Sequence, residues 1–86
     1  MEVSDWRIKI DDIDEKILKL LNERAVCALG IGEIKKRLNM RIHDPEREKM
    51  IMQRLTGLNQ GPLTDEGVRR VFERIIDESR KLEKGL

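Results

Sequence analysis

The sequence predicts an all-α fold, and three observations predict it. Leu, Ile, Glu, Lys and Arg dominate the 86 residues, Tyr is absent and Pro occurs only at positions 45 and 62, a composition that favours helices over sheet. Apolar residues recur at alternating spacings of three and four, the period of a helix with one apolar stripe. Capping and breaking residues divide that pattern into three segments of unequal length, with helices expected at about 5–38, 44–58 and 64–84 of one helical domain spanning 1–86.

The first segment starts after Ser4 or Asp5, either of which can cap a helix. Its stripe runs through Ile10, Ile13, Ile17, Leu20 and Leu21, then through Cys27 or Ala28, Ile31, Ile34 and Leu38. Kept up for about four heptads, it predicts one helix roughly 45 Å long at 1.5 Å per residue. Gly30 and Gly32 each cost about 1 kcal/mol relative to Ala inside a helix, yet the apolar phase carries across them and the helix is expected to continue. Asn39 to His43 reads as a loop. Asp44-Pro45 then supplies an N-cap and a proline at the first helical position, where its missing N–H is harmless. The second stripe is Ile51, Leu55 and Leu58, flanked by Met50 and Met52, and two glycines and a proline between Gly57 and Pro62 end it. Thr64 caps the third helix, with Asp65 and Glu66 complementing the dipole in its first turn; its stripe is Val68, Val71, Phe72, Ile75, Ile76 and Leu82.

Size and charge narrow the function. A chain this short buries only roughly 60–65% of the surface its unfolded form exposes, so without disulfides or metal it draws extra core from a second copy. Eighteen Lys and Arg against seventeen Asp and Glu give a net charge of +1, and Trp6 and Phe72 are the only aromatic rings, so neither the electrostatics nor the stacking surface of a nucleic-acid binder is present. One cysteine, Cys27, excludes an intrachain disulfide; with a single histidine, His43, it leaves no credible metal site. Cys27 is expected to pack and His43 to be exposed. The residues from Met1 to Ile10 alternate polar and apolar rather than forming a signal sequence, and no apolar run is long enough for a membrane span. The cytoplasm is the expected location, with no membrane and no nucleic acid as partner.

Charged residues interrupt every stripe, at positions where a charge costs free energy unless it is paired. Arg24 lies seven residues after Ile17 and seven before Ile31, and Lys35 follows it by eleven, on nearly the same face and about 16 Å along the axis. Glu48 precedes Ile51 by three and Leu55 by seven, while Ser79 and Glu83 continue the Val68, Phe72, Ile75 series. Taken singly, each reads as a marginal salt bridge. Together, two cations, two carboxylates and a hydroxyl facing one interior suggest a polar pocket for a small dicarboxylate.

These residues and their neighbours resemble the all-helical chorismate mutases. The pattern runs through Arg7, Ile13-Asp14 with Leu20-Leu21, Glu23-Arg24-Ala25, Ile31-Gly32 and Lys35, then Asp44-Pro45-Glu46-Arg47-Glu48, and ends with Ile75-Ile76 and Ser79, spanning roughly residues 6 to 83. The resemblance implies an intertwined dimeric six-helix bundle in which each of two active sites draws on both chains. Helix arithmetic agrees, because Arg7 lies seventeen residues before Arg24, about 25 Å away on one straight helix. By resemblance, Arg7 of one chain joins Arg24, Lys35, Asp44, Arg47, Glu48, Ser79 and Glu83 of the other.

The implied reaction is the pericyclic rearrangement of chorismate to prephenate in phenylalanine and tyrosine biosynthesis, by an isomerase that needs no cofactor and no metal. Arg7 and Arg24 would grip the two carboxylates, a task suited to the guanidinium fork. Lys35 would donate to a carboxylate and to the ether oxygen. Glu48 and the backbone around Asp44 would accept from the ring hydroxyl, with Arg47 and Ser79 completing the polar wall. Where many bacterial members carry Gln, this chain has Glu83, as fungal members do. A carboxyl donates to an ether oxygen only when protonated, so activity is expected to fall as pH rises. Alternative readings on the same scaffold are an isochorismate-pyruvate lyase, a 4-amino-4-deoxychorismate mutase, or a weakly active helical module that needs a shikimate-pathway enzyme as partner. A chain running from Met1 to Leu86 is expected to stand alone.

Overall fold

Three helices make up the computed structural model, which describes residues 1–85: α1 (Val3–Arg37), α2 (Pro45–Leu58) and α3 (Asp65–Glu83). Leu86, the last residue of the expected domain, lies outside the described residues. The first helix starts earlier than the sequence reading placed it. Glu2, not Ser4 or Asp5, is its N-cap, and Asp5 takes the third helical position, where its Oδ2 accepts from the Glu2 backbone N–H at 2.8 Å. A carboxylate at that position satisfies an N–H that the helix itself leaves orphaned.

Helix α1 passes unbroken through Gly30 and Gly32. At Gly30 an added Cβ would meet nothing within 4 Å, whereas at Gly32 it would lie 2.7 Å from the Cα and the carbonyl oxygen of Glu83. Gly32 thus permits close approach of α1 and α3 backbones, and it is buried. Lys35, Lys36 and Arg37 in the last turn complement the dipole, and the helix ends as Asn39 adopts φ 56°, with the Met40 N–H donating back to the Lys35 carbonyl at 2.7 Å.

Asp44 caps α2 by accepting from the Arg47 N–H at 3.1 Å, with Pro45 behind it. Thr64 caps α3 through the Gly67 N–H at 3.0 Å. Helix α3 is the central element. Both α1 and α2 pack on it, while the backbones of α1 and α2 do not approach one another. A wedge therefore opens between α1 and α2, closed along one side by α3.

Very little of this chain is buried. Among the described residues only Ala28, Val68 and Ile76 form a buried apolar core. Every residue from 1 to 23 is exposed, including the stripe at Ile10, Ile13, Ile17, Leu20 and Leu21. The molecule measures 54 × 24 × 15 Å, and its long axis is α1, whose first twenty residues project beyond the other two helices' support.

Candidate active site

The wedge holds a cavity of about 320 Å³, within the range of small-molecule sites. Helix α1 contributes Arg24, Ala28, Ile31 and Lys35, while the loop and α2 add Ile42, Asp44, Arg47, Glu48 and Ile51. From α3 come Ile76, Ser79, Arg80 and Glu83. Arg7 stands apart, on the exposed half of α1. Four cations face three carboxylates in this lining, an excess positive charge before any ligand arrives, and low-dielectric walls of Ala28, Ile31, Ile51 and Ile76 strengthen its field.

Lys35 sits at the narrow end, its side chain only 13% exposed, with Nζ donating to the Ile42 carbonyl at 3.0 Å and standing 2.8 Å from Glu83 Oε1. The Ile42 carbonyl takes one of the three ammonium N–H groups and the Glu83 carboxylate stands at ion-pair distance, so donor capacity remains for a ligand. Glu83 is 12% exposed, and its Oε1, though close to the ammonium, has no aligned hydrogen-bond donor. An ion pair holds that oxygen, and its hydrogen-bonding capacity remains open. Glu83 is the α3 carboxylate that stands beside Lys35, whereas Glu78 is exposed and pairs with Lys81 at 2.9 Å.

Arg24 Nη1 donates to Ser79 Oγ. Ser79 in turn donates its hydroxyl proton to the Ile75 carbonyl, one helical turn back, at 2.9 Å. The serine oxygen is therefore the acceptor for Arg24 and orients the guanidinium, whose remaining N–H groups are left to meet an anion. Opposite, on α2, Glu48 Oε2 lies 3.5 Å from His43 Nε2 and 3.7 Å from Arg80 Nε. Asp44 has its side chain engaged as the α2 cap, so its place in the wall and its role in the helix are the same fact.

Two features of the site were missed in the sequence and one expectation is corrected. The Ile42 carbonyl that steadies Lys35 belongs to a loop backbone and has no side-chain signature. Arg80 did have one, because it follows Ile76 by four and Phe72 by eight, on the buried stripe of α3. Cys27 was expected to pack; it is instead exposed, at the cavity rim. It is one position off the seam, and no element of this chain covers that side of α1.

Comparison with known proteins places these observations in a family. Residues 6–84 match the family model described as chorismate mutase type II. The chain is 44% identical, over 96% of its own length, to the bifunctional chorismate mutase/prephenate dehydratase of Aquifex aeolicus, of which it spans 24%. It is 40% identical to the chorismate mutase of Methanocaldococcus jannaschii, covering 96% of this chain and 85% of that one. Its fold is similar to that of the chorismate mutase from Helicobacter pylori in complex with prephenate, with a TM-score of 0.88 and 29% identity, over 95% of this chain and 89% of that one.

Proposed function

The chain belongs to the chorismate mutase type II family, and on that premise we propose that it catalyses the rearrangement of chorismate to prephenate in the cytoplasm, as a homodimer with two shared active sites. The observation that carries the reading is the convergence of Arg24, Lys35, Glu48, Ser79 and Glu83 on one cavity whose charge suits a dicarboxylate. Within this reading the exposed stripe of α1 packs against a second copy, and Arg7 of the partner subunit reaches into the cavity.

The reaction is unimolecular. The ether C–O bond breaks as a C–C bond forms between the two ends of the substrate, with no atom gained or lost. The protein's task is to hold the folded conformer and to stabilise charge that grows on the ether oxygen. Arg24 and Arg7 of the partner subunit clamp the carboxylates. Lys35 directs its positive charge at a carboxylate and the ether oxygen, and Glu83, when protonated, donates to that oxygen from the other side. Glu48 and the backbone around Asp44 read the ring hydroxyl. Lys35, Asp44 and Glu48 around one cavity favour chorismate over the substrates of the sister reactions.

A mixing experiment tests the shared site. Arg7→Ala and Lys35→Ala are each expected to be nearly inactive. Unfolded together and refolded at equal concentration, they should recover about one quarter of wild-type activity, since half the dimers are mixed and each mixed dimer carries one intact site. Absence of recovery, with mixed dimers demonstrably formed, overturns the shared-site reading.

A further inference from the structure

Arg80 occupies an expensive position. It continues the apolar stripe of α3 one turn beyond the buried Ile76, where a cation is costly unless anions receive it. Two do. Its Nη2 donates to Asp77 Oδ1 at 3.4 Å on its own helix, and its Nε lies 3.7 Å from Glu48 Oε2 on α2. The Nε is covered and has no hydrogen-bond partner, so a ligand in the cavity does not meet it directly. What it faces is the carboxylate that the proposed reaction assigns to the ring hydroxyl.

The setting of that carboxylate is asymmetric. His43 and Arg80 both make their approach to the same oxygen, Oε2. The histidine belongs to an exposed loop, with its side chain 60% exposed, while Arg80 is 32% exposed and anchored to α3 through Asp77. Of the two, Arg80 is the stiffer clamp. Arg80, Glu48 and Ile76 also line a second, shallower hollow of about 250 Å³ behind the first, so the pair forms part of the partition between the two. Without the guanidinium, only His43, on its exposed loop, would remain at Glu48 Oε2.

We propose that Arg80 is a positioning residue for this reaction: it holds Glu48 by Oε2 and thereby leaves Oε1 to accept the ring hydroxyl of the substrate. This rests on the reading of Glu48 as the hydroxyl acceptor and adds the group that aims it. The role differs from that of a bundle-stabilising ion pair because it concerns one substituent of the ligand only.

The test compares kcat/KM for chorismate with kcat/KM for its analogue lacking the ring hydroxyl, in the wild type, Glu48→Gln, Arg80→Met, Arg80→Lys and the Glu48→Gln/Arg80→Met double variant. Glu48→Gln should lower the chorismate-to-analogue ratio by about tenfold, the scale of a charge-assisted hydrogen bond. Arg80→Met should lower it by about three- to tenfold, and the double variant by no more than Glu48→Gln alone, as coupled residues do. Arg80→Lys, which keeps the charge but loses Nε, should fall between wild type and Arg80→Met. A ratio changed by Glu48→Gln but not by Arg80→Met or Arg80→Lys overturns the Arg80 assignment and spares the hydroxyl reading. Equal losses on both substrates in the Arg80 variants, or full additivity in the double variant, overturn it too. An unchanged ratio in Glu48→Gln removes the hydroxyl reading itself, and the proposal with it.

Discussion

The two halves of α1 share one helix and one apolar period, yet they face different worlds. From Val3 to Glu23 every residue is exposed, the stripe of isoleucines and leucines included. From Arg24 to Arg37 the same face carries Arg24 and Lys35 into a cavity and lays Ala28 and Gly32 against α3. Periodicity reports that a face is turned inward, but not whose interior it enters. The second half is partly covered by α3 of its own chain; the first half has no such cover, and the proposed partner for both is another copy.

The largest expected effect lies in the second half. Lys35→Ala should lower kcat by about 10²- to 10³-fold, the scale seen when one electrostatic donor to developing charge is removed, with the helical circular-dichroism signal retained. A loss below tenfold would mean that Lys35 serves the ion pair with Glu83 rather than the reaction. The counterpart in the first half is Ile17→Glu, which should weaken dimerisation by about a hundredfold or more, as expected when an unpaired charge enters an apolar interface. Sedimentation equilibrium measures it. An unaltered association constant would place the interface elsewhere and leave the exposed stripe unexplained.

Two glycines sharpen the contrast within a single turn. Gly32→Ala should destabilise by about 1–3 kcal/mol, because its Cβ meets Glu83 backbone that cannot swing away. Gly30→Ala should stabilise by up to about 1 kcal/mol through helix propensity, with open space to receive the methyl group. Urea denaturation reads both signs. Destabilisation at Gly30 would show a neighbour from a second chain pressed against it. The smallest effect belongs to the start of the helix, where Asp5→Ala should cost about 0.5–1 kcal/mol through the lost Glu2 N–H partner; no measurable change would mean that the first turn is held by something other than its cap.

Substitution probes the narrow end of the cavity. Glu83→Gln keeps the length of the side chain and offers an amide N–H to an ether oxygen, so it should retain activity where Glu83→Ala loses it. Equal losses of kcat/KM in the two variants would assign Glu83 solely to pairing with Lys35.

Much of this molecule was legible before its structure. Asp44-Pro45 and Thr64 announce α2 and α3, because a side-chain acceptor at an N-cap is a local need met by local chemistry. Arg24, Lys35, Glu48, Ser79 and Glu83 were visible as polar residues on apolar stripes, for a charge there is costly without a purpose. The start of α1 was misread by two to three residues because Ser4 and Asp5 are good caps in isolation; the reciprocal position of Asp5 at the third helical residue is what selects Glu2. Arg80 passed unnoticed although it obeys the same stripe rule as Glu83.

By itself the sequence determined the helices, their order and the set of charges that must face inward, since each follows from spacing within a few turns of one chain. Only the tertiary structure decided which charges meet. The 2.8 Å pairing of Lys35 with Glu83, the Arg24–Ser79–Ile75 relay and the double approach of His43 and Arg80 to one oxygen of Glu48 join residues on different elements. Those pairings depend on how closely α1 and α3 approach at Gly32 and on how far the wedge between α1 and α2 opens. Such distances arise from packing among separated segments, which no local spacing encodes.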